Sequence, residues 1–326
     1  MVQSLGERAA SDNRRKVLTG PPTRWSSPLT RILFITATRL GDAVLSTGLL
    51  DHLLRTVPDA RISVACGPVA AGLFQRMPRL ERVIVVEKRK RDLHWLSLWR
   101  ACIGTRWDLV IDLRGSALSF FLPARRRAIM RGGRRTGHRT LHLAGVLGLD
   151  PAPMPVAWFD APDRAVAEEW LPGAGPYVAL GPTANWTGKV WPAARFAALF
   201  ARLRETMPTA RPVVFAGPGE TERALGQALI DRLDDAIDLR GTLSLAEVAA
   251  CLSRCALYVG NDSGLMHLSA ATGIPTLGLF GPSRASEYAP AGPRAGFVAA
   301  PGPEGDAPIG GLPVEAALQA ALGLIG

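Results

Sequence analysis

Four cysteines in 326 residues (Cys66, Cys102, Cys251, Cys255) are too few and too irregularly spaced to frame a disulfide scaffold. A chain of this length needs no such staples, so reduced thiols in a cytoplasmic setting are the expectation. Cys251, Cys255 and His267 supply one zinc-ligand pair where two are normally required, and buried small side chains explain the cysteines better. No apolar run approaches the roughly 20 residues that cross a bilayer. The first 28 residues carry Arg8, Arg14, Arg15, Lys16 and Arg24 but no signal-peptide core, which argues against export and for a basic flexible tail. Three nucleotide and hydrolase signatures are also missing. No G-x-G-x-x-G joins a strand to a helix, since "GPGETERALG" (217–226) places its third glycine too late. No G-x-x-x-x-G-K-[ST] and no G-x-S-x-G is present. A dinucleotide oxidoreductase, a P-loop NTPase and an α/β-hydrolase are thereby set aside.

What is present is a globular composition, 48% hydrophobic and 20% charged, in a chain too long for one comfortable core. The charge is divided unevenly. Residues 1–150 hold 26 Lys and Arg against 11 Asp and Glu, a net of +15, while residues 151–326 hold 12 against 17, a net of −5. The densest basic run, "RRRAIMRGGRRTGHRT" (125–140), has seven arginines and no acid. An anionic partner fits such a half: nucleic acid, an anionic membrane surface or a phosphorylated substrate. A solvated basic face without a partner fits as well.

Apolar runs of strand length at 31–37, 61–67, 82–88 and 108–115 alternate with stretches of helical periodicity, the pattern of an α/β fold with a parallel sheet. A proline-rich connection, "LDPAPMPVAWFDAP" (149–162), interrupts it. Strand patterns resume at 177–182, 211–219, 236–241, 256–264 and 274–281, and "VEAALQAALGLI" forms a last helix. The expected domains are a basic tail (1–28), an acceptor-side Rossmann-like domain (29–160) and a nucleotide-sugar-binding Rossmann-like domain (161–326). The final helix is placed so that it can pack back on the first. Ligands belong in the cleft between the halves, where strand C-termini and helix N-termini converge.

Four loops at strand ends carry chemistry. In "VGNDSGLMH" a helix starts at Asp262 or Ser263, both good N-caps; Gly264 opens the backbone to a ligand, and His267 lies one turn in. A plain capped helix with a satisfied histidine is the competing reading. "GPTANWTGKVWP" (181–192) sets Lys189 before a helix, as a pyrophosphate partner or a surface lysine. Glu220 opens a helix in "FAGPGETERA", as a ribose-hydroxyl acceptor or a helix cap. Asp42, in "ATRLGDAV", is a cap or the best-placed general base in the first half.

Taken together, "LGDAVLSTGLL", "DLVIDLRG", "GKVWP", "FAGPGETERA" and above all "NDSGLMHLSAATGIPTLGLFGPS" (261–283) resemble the ADP-heptose-dependent heptosyltransferases of lipopolysaccharide core assembly, inverting glycosyltransferases of the GT-B fold. The resemblance covers most of residues 30–283 and looks closer to the second-heptose branch. It implies Asp42 as the base on the acceptor hydroxyl, Lys189 on the donor phosphates and Glu220 on the ADP ribose. Asp262, Ser263, Gly264 and His267 fall in the phosphate and sugar loop, Leu243 near adenine, and Thr183 and Asn185 in a loosely matching donor loop. Arg39, Arg114, Arg134 and Arg135 become candidates for the acceptor side. The donor would be an ADP-sugar and the acceptor an anionic lipid-linked saccharide at the inner membrane face, with the enzyme peripheral on the cytoplasmic side. No metal is implied: the family needs no Asp-x-Asp motif, and none is present. Two other classes compete, a nucleotide-sugar-binding protein without catalysis and a nucleic-acid-binding protein. The second lacks a nucleic-acid motif and aromatic interleaving among the arginines.

Overall fold

The computed structural model describes residues 31–88, 93–132 and 136–326; the expected basic tail, and Arg134 and Arg135, lie outside them. In the first half the order is β1 (Arg31–Ile35), α1 (Leu40–Thr56), β2 (Arg61–Cys66), α2 (Ala71–Phe74), β3 (Leu80–Val85), α3 (Leu93–Ile103), β4 (Trp107–Asp112), β5 (Ala124–Ile129) and α4 (Arg139–Ala144). After α5 (Ala161–Trp170) come β6 (Tyr177–Gly181), α6 (Ala193–Thr206), β7 (Arg211–Ala216), α7 (Glu220–Ile230), β8 (Ile237–Arg240) and α8 (Leu245–Ser253). The chain closes with β9 (Leu257–Asn261), α9 (Gly264–Thr272), β10 (Thr276–Phe280), α10 (Ala285–Tyr288), β11 (Ala295–Ala299) and α11 (Val314–Ile325).

Both sheets are wholly parallel, in the orders β3-β2-β1-β4-β5 and β11-β10-β9-β6-β7-β8. Strand order therefore reverses beside β1 in the first sheet and beside β6 in the second. In such sheets ligands bind outside the strand carboxyl ends at these reversals. The central strands are buried on both faces, as "ILFI", "VALG" and "LYVGN" show, which is why they read as continuous apolar runs.

β5 and β11 were not legible as strands in the sequence. β5 is "ARRRAI", an edge strand whose three arginines are exposed; like-charged side chains blunt an open edge and erase the hydrophobic signal at once. β11 lies in the Gly/Pro-rich tail as the other sheet's edge. β3 begins two residues before the expected 82 and stops at Val85. The last helix packs on the second sheet beside α6 rather than returning to the first half. The halves are joined through α1 against α9 and α2 against α8, within one apolar cluster containing Leu45, Leu49, Val248, Met266 and Leu268. The proline-rich connection is tied to the same seam: Val156 N–H donates to Thr47 Oγ1 at 2.8 Å, and Ala157 N–H to the Ala271 carbonyl at 3.1 Å.

Candidate active site in the cleft between the halves

β1 ends at Ile35 and turns into α1; β9 ends at Asn261 and turns into α9. The two helices begin against one another. A Cβ on Gly41 would lie 2.9 Å from His267 Cδ2, and one on Gly264 would lie 2.8 Å from Leu40 Cβ. Only residues without a side chain allow this approach. The room that Gly264 makes is taken by Leu40, so helix packing and not only ligand approach calls for glycine there.

Neither helix is capped by its own chemistry. Ser263 is the N-cap of α9 and Arg39 that of α1, and neither side chain bonds to the helix; α7, entered from Gly219, is the same. By contrast α5 and α8 carry complete capping boxes, Asp160 with Asp163 and Ser244 with Glu247. The first N–H groups of α9 thus remain available to an anion, where the helix dipole favours negative charge. At the end of β9 and in the first turn of α9 lie buried polar atoms with no hydrogen-bond partner in the chain, Asn261 Nδ2 and His267 Nδ1, and Ser263 Oγ beside the Tyr258 hydroxyl. A buried polar atom left unpaired costs about 1–3 kcal/mol, so their clustering at one strand end marks a place built for a ligand.

Asn261 has a second duty: its Oδ1 accepts from the Trp191 N–H at 3.0 Å, fixing the loop after β6 to the end of β9. On that loop Lys189 closes a single 3-10 turn, and its Nζ donates to Asp262 Oδ2 at 2.5 Å. The pair is mostly sheltered, with 22% and 9% of the side chains exposed. Lys189 cancels a carboxylate that would otherwise repel an anion at the head of α9. Thr183 is buried on the same loop, whereas Asn185 is exposed. Burial pushes the His267 imidazole down to about 4; Asp262 opposes this, while His138 and Lys189 add to it. At neutral pH the ring is uncharged, so it offers hydrogen bonds, not a positive charge, to a leaving phosphate.

On the facing side Asp42 stands in the first turn of α1, 24% exposed, with Arg139 Nε 3.7 Å from its Oδ1. Arg139 opens α4, and the preceding His138 places Nε2 2.9 Å from the Ala289 carbonyl of the second half. Tyr288 adjoins that carbonyl. Its phenol is pushed upward first by burial and then by Asp42, with Arg139 acting against them and Glu287 and Asp262 adding. Carboxylates from both halves therefore act on one hydroxyl. Sequence reasoning missed Arg139 and Tyr288. Arg139 was one arginine of a dense run, and Tyr288 falls beyond the recognisable motif, so only spatial proximity singles them out.

Glu220 is exposed at the head of α7 and Leu243 is half-buried. The Glu222 carboxylate instead lies directly over Gly217 at the end of β7. Two acids thus stand at this helix start, and the sequence pointed only to the first. Arg39 and Arg114 are both exposed, following the adjacent strands β1 and β4. Arg114 lies 4.8 Å over the Trp95 ring. Cys255 Sγ donates to the Cys251 carbonyl at 3.5 Å; among the described residues no three His, Cys, Asp or Glu side chains gather as a metal-ligand group.

The family model described as Glycosyltransferase family 9 (heptosyltransferase) matches residues 141–306. Lipopolysaccharide heptosyltransferase 1 of Pseudomonas aeruginosa is 28% identical over 286 residues, 78% of this chain and 79% of that protein. Lipooligosaccharide heptosyltransferase 2 of Haemophilus influenzae is 25% identical over 79% of this chain and 85% of its own. Among solved structures, a glycosyl transferase family 9 protein from Veillonella parvula superposes with a TM-score of 0.77 at 22% identity, covering 92% of this chain and 98% of that one. The E. coli ADP-heptose LPS heptosyltransferase II gives 0.74 at 20% identity, covering 91% and 98%.

Proposed function

Because the chain belongs to glycosyltransferase family 9, we propose that it is an inverting enzyme that moves a heptose or related sugar from an ADP-sugar to an anionic, lipid-linked saccharide of the lipopolysaccharide-core type. The observation that carries this reading is convergence. Asp42 on α1 meets the uncapped start of α9, with Lys189, Asp262 and His267, across a contact made by two glycines. The relatives' names support the class of donor and acceptor. Named relatives come from the first- and second-heptose branches alike; the start of the 261–267 loop is what draws this chain toward the second.

In the reaction we infer, the acceptor hydroxyl oxygen attacks the anomeric carbon from the α1 side. The bond from that carbon to the diphosphate oxygen breaks, and its electron pair leaves with ADP. The hydroxyl proton passes to an Asp42 carboxylate oxygen. Lys189, the α9 amides and a neutral His267 receive the charge growing on the diphosphate. Arg139 Nε, 3.7 Å from the Asp42 carboxylate, supplies a positive charge beside it. None of these steps calls on a metal, and placement at the inner face of the cytoplasmic membrane belongs to the same proposal.

The test is incubation with ADP-heptose and a panel of truncated core saccharides, with mass detection of product. A product heavier by one heptose, formed with inversion at the anomeric carbon, is expected. ADP binding without any product across the panel would favour a nucleotide-sugar-binding protein that has lost catalysis.

A further inference from the structure

The outer layer of the first sheet presents a surface that the cleft chemistry does not use. α3 buries His94, Leu98 and Cys102 against the sheet. Its opposite face is Leu93, Leu96, Arg100 and Ile103, spaced along one side of the helix. Leu93 and Leu96 are 52% and 43% exposed. A water-facing stripe on a soluble helix is normally polar; this one is apolar with a single arginine.

Beside α3 runs the 3-10 turn Ala117–Phe121, whose tip holds Phe120 and Phe121 at 67% and 69% exposure. The turn is fixed. Leu118 and Leu122 anchor it in the small core under α3, and Trp99 Nε1 donates to the Phe121 carbonyl at 3.2 Å. Arg127 donates to the carbonyls of Ser119 at 2.8 Å and Leu122 at 2.6 Å. Two adjacent phenylalanines held in water by a rigid turn bring no folding energy, and such patches mark contact surfaces.

Charge decides the partner. Arg100 lies on the stripe, Arg106 just past its end, and Arg114 at the cleft edge over Trp95. Among the described residues none of the three forms an ion pair. We propose that the α3 stripe and the Phe120–Phe121 tip form a docking ledge for an anionic lipid bilayer, the rings entering the interface while the arginines meet lipid phosphates. A second copy of the chain is a poor occupant, because pairing the ledge with itself would bring two unpaired arginine rims together. The proposal rests on the lipid-linked acceptor inferred above and adds where the bilayer sits. Arg114 follows the same strand end as the cleft, so the ledge would bring the membrane to the acceptor-side opening.

The test uses the full chain and vesicles of phosphatidylcholine with or without phosphatidylglycerol, in a sedimentation assay without donor or acceptor. Wild-type protein should bind the phosphatidylglycerol vesicles and be released as salt rises. Phe120→Ser with Phe121→Ser should lower the partition coefficient at least about tenfold, well within what two partly buried phenylalanines supply, with an unchanged Tm. Leu96→Gln should reduce it in the same direction, and Arg100→Ala with Arg106→Ala should flatten the salt dependence. Undiminished binding by the double serine variant would overturn the ledge, as would equal binding to neutral vesicles. Self-association abolished by the serines, without vesicle binding, would hand the surface to a second copy and overturn it too. Failure of sugar transfer leaves this readout untouched, so the two proposals fall separately.

Discussion

His267→Gln removes an ionisable group that burial holds neutral, and the consequence is a measurable change in how stability depends on pH. The folded-state imidazole lies at about 4, against about 6.5 in an unfolded chain. As pH falls below 6.5 the unfolded chain takes up a proton that the folded one refuses, so stability is intact above that value. It is lost progressively toward 4 and changes no further below. Between pH 7 and pH 5 the loss from this single group is about 2 kcal/mol. With an unfolding entropy near 2.1 cal/mol/K per residue, that corresponds to roughly 3 °C of Tm for a chain of this size. Other titrating groups are common to both proteins and cancel in the comparison. Thermal melts at the two pH values should therefore show wild type losing about 3 °C more than His267→Gln, whatever the variant's baseline. An anion beside the ring favours its protonated form, so ADP should also bind wild type relatively better than the variant as pH falls toward 5. Equal pH slopes in the two melts would refute the reasoning.

Three further outcomes follow from the cleft. Lys189→Ala leaves Asp262 unopposed at the head of α9 and should weaken ADP about 10- to 100-fold by titration calorimetry, with Asp262→Asn restoring part of the loss in the double variant. ADP at about 100 times its dissociation constant should stabilise wild type by roughly 2.7 kcal/mol. Uridine diphosphate should shift Tm less; equal shifts would remove the adenine assignment. Asp42→Asn should fold, keep its ADP-induced shift and lose at least about 100-fold in transfer rate. Wild-type turnover would leave Asp42 as a residue of the helix start with no part in proton transfer.

How much of this was legible depends on the kind of signal. The central strands announce themselves because burial on both faces demands unbroken apolar runs, and the motif loops lie where those runs end. β5 was hidden because its outward arginines serve the sheet edge, and β11 because it is one short strand in a glycine- and proline-rich tail. At the site, Asp42, Lys189 and His267 were visible as polar residues at helix starts. Their couplings were not. Nothing in the order of residues shows that Lys189 would spend its charge on Asp262, or that burial would strip His267 of its own. Arg139 and Tyr288 come from elements separated in sequence by about 150 positions, and only the joining of α1 to α9 brings them to the same carboxylate.

Gly264 shows how a residue chosen for one reason can be held by another. The sequence pattern assigns it to close approach of a ligand, while the structure fills its space with Leu40. Gly264→Ala separates the two explanations. A methyl group 2.8 Å from Leu40 Cβ cannot be accommodated by a rotamer change, because the obstruction is the first atom of the side chain on a helix packed into the common core. α1 must retreat from α9, at a cost of about 1–3 kcal/mol for overpacking, and Asp42 moves with it. The variant should therefore melt lower and lose transfer rate, while ADP affinity, set within the second half by Lys189 and the α9 amides, should fall less than about threefold, under 1 kcal/mol. The opposite pattern, an unchanged Tm with ADP binding lost, would mean that the glycine serves the nucleotide and that the α1–α9 contact yields freely. In that case the two halves would not be held in register at this point, and the position of Asp42 over the donor would have to be set by substrate closure instead.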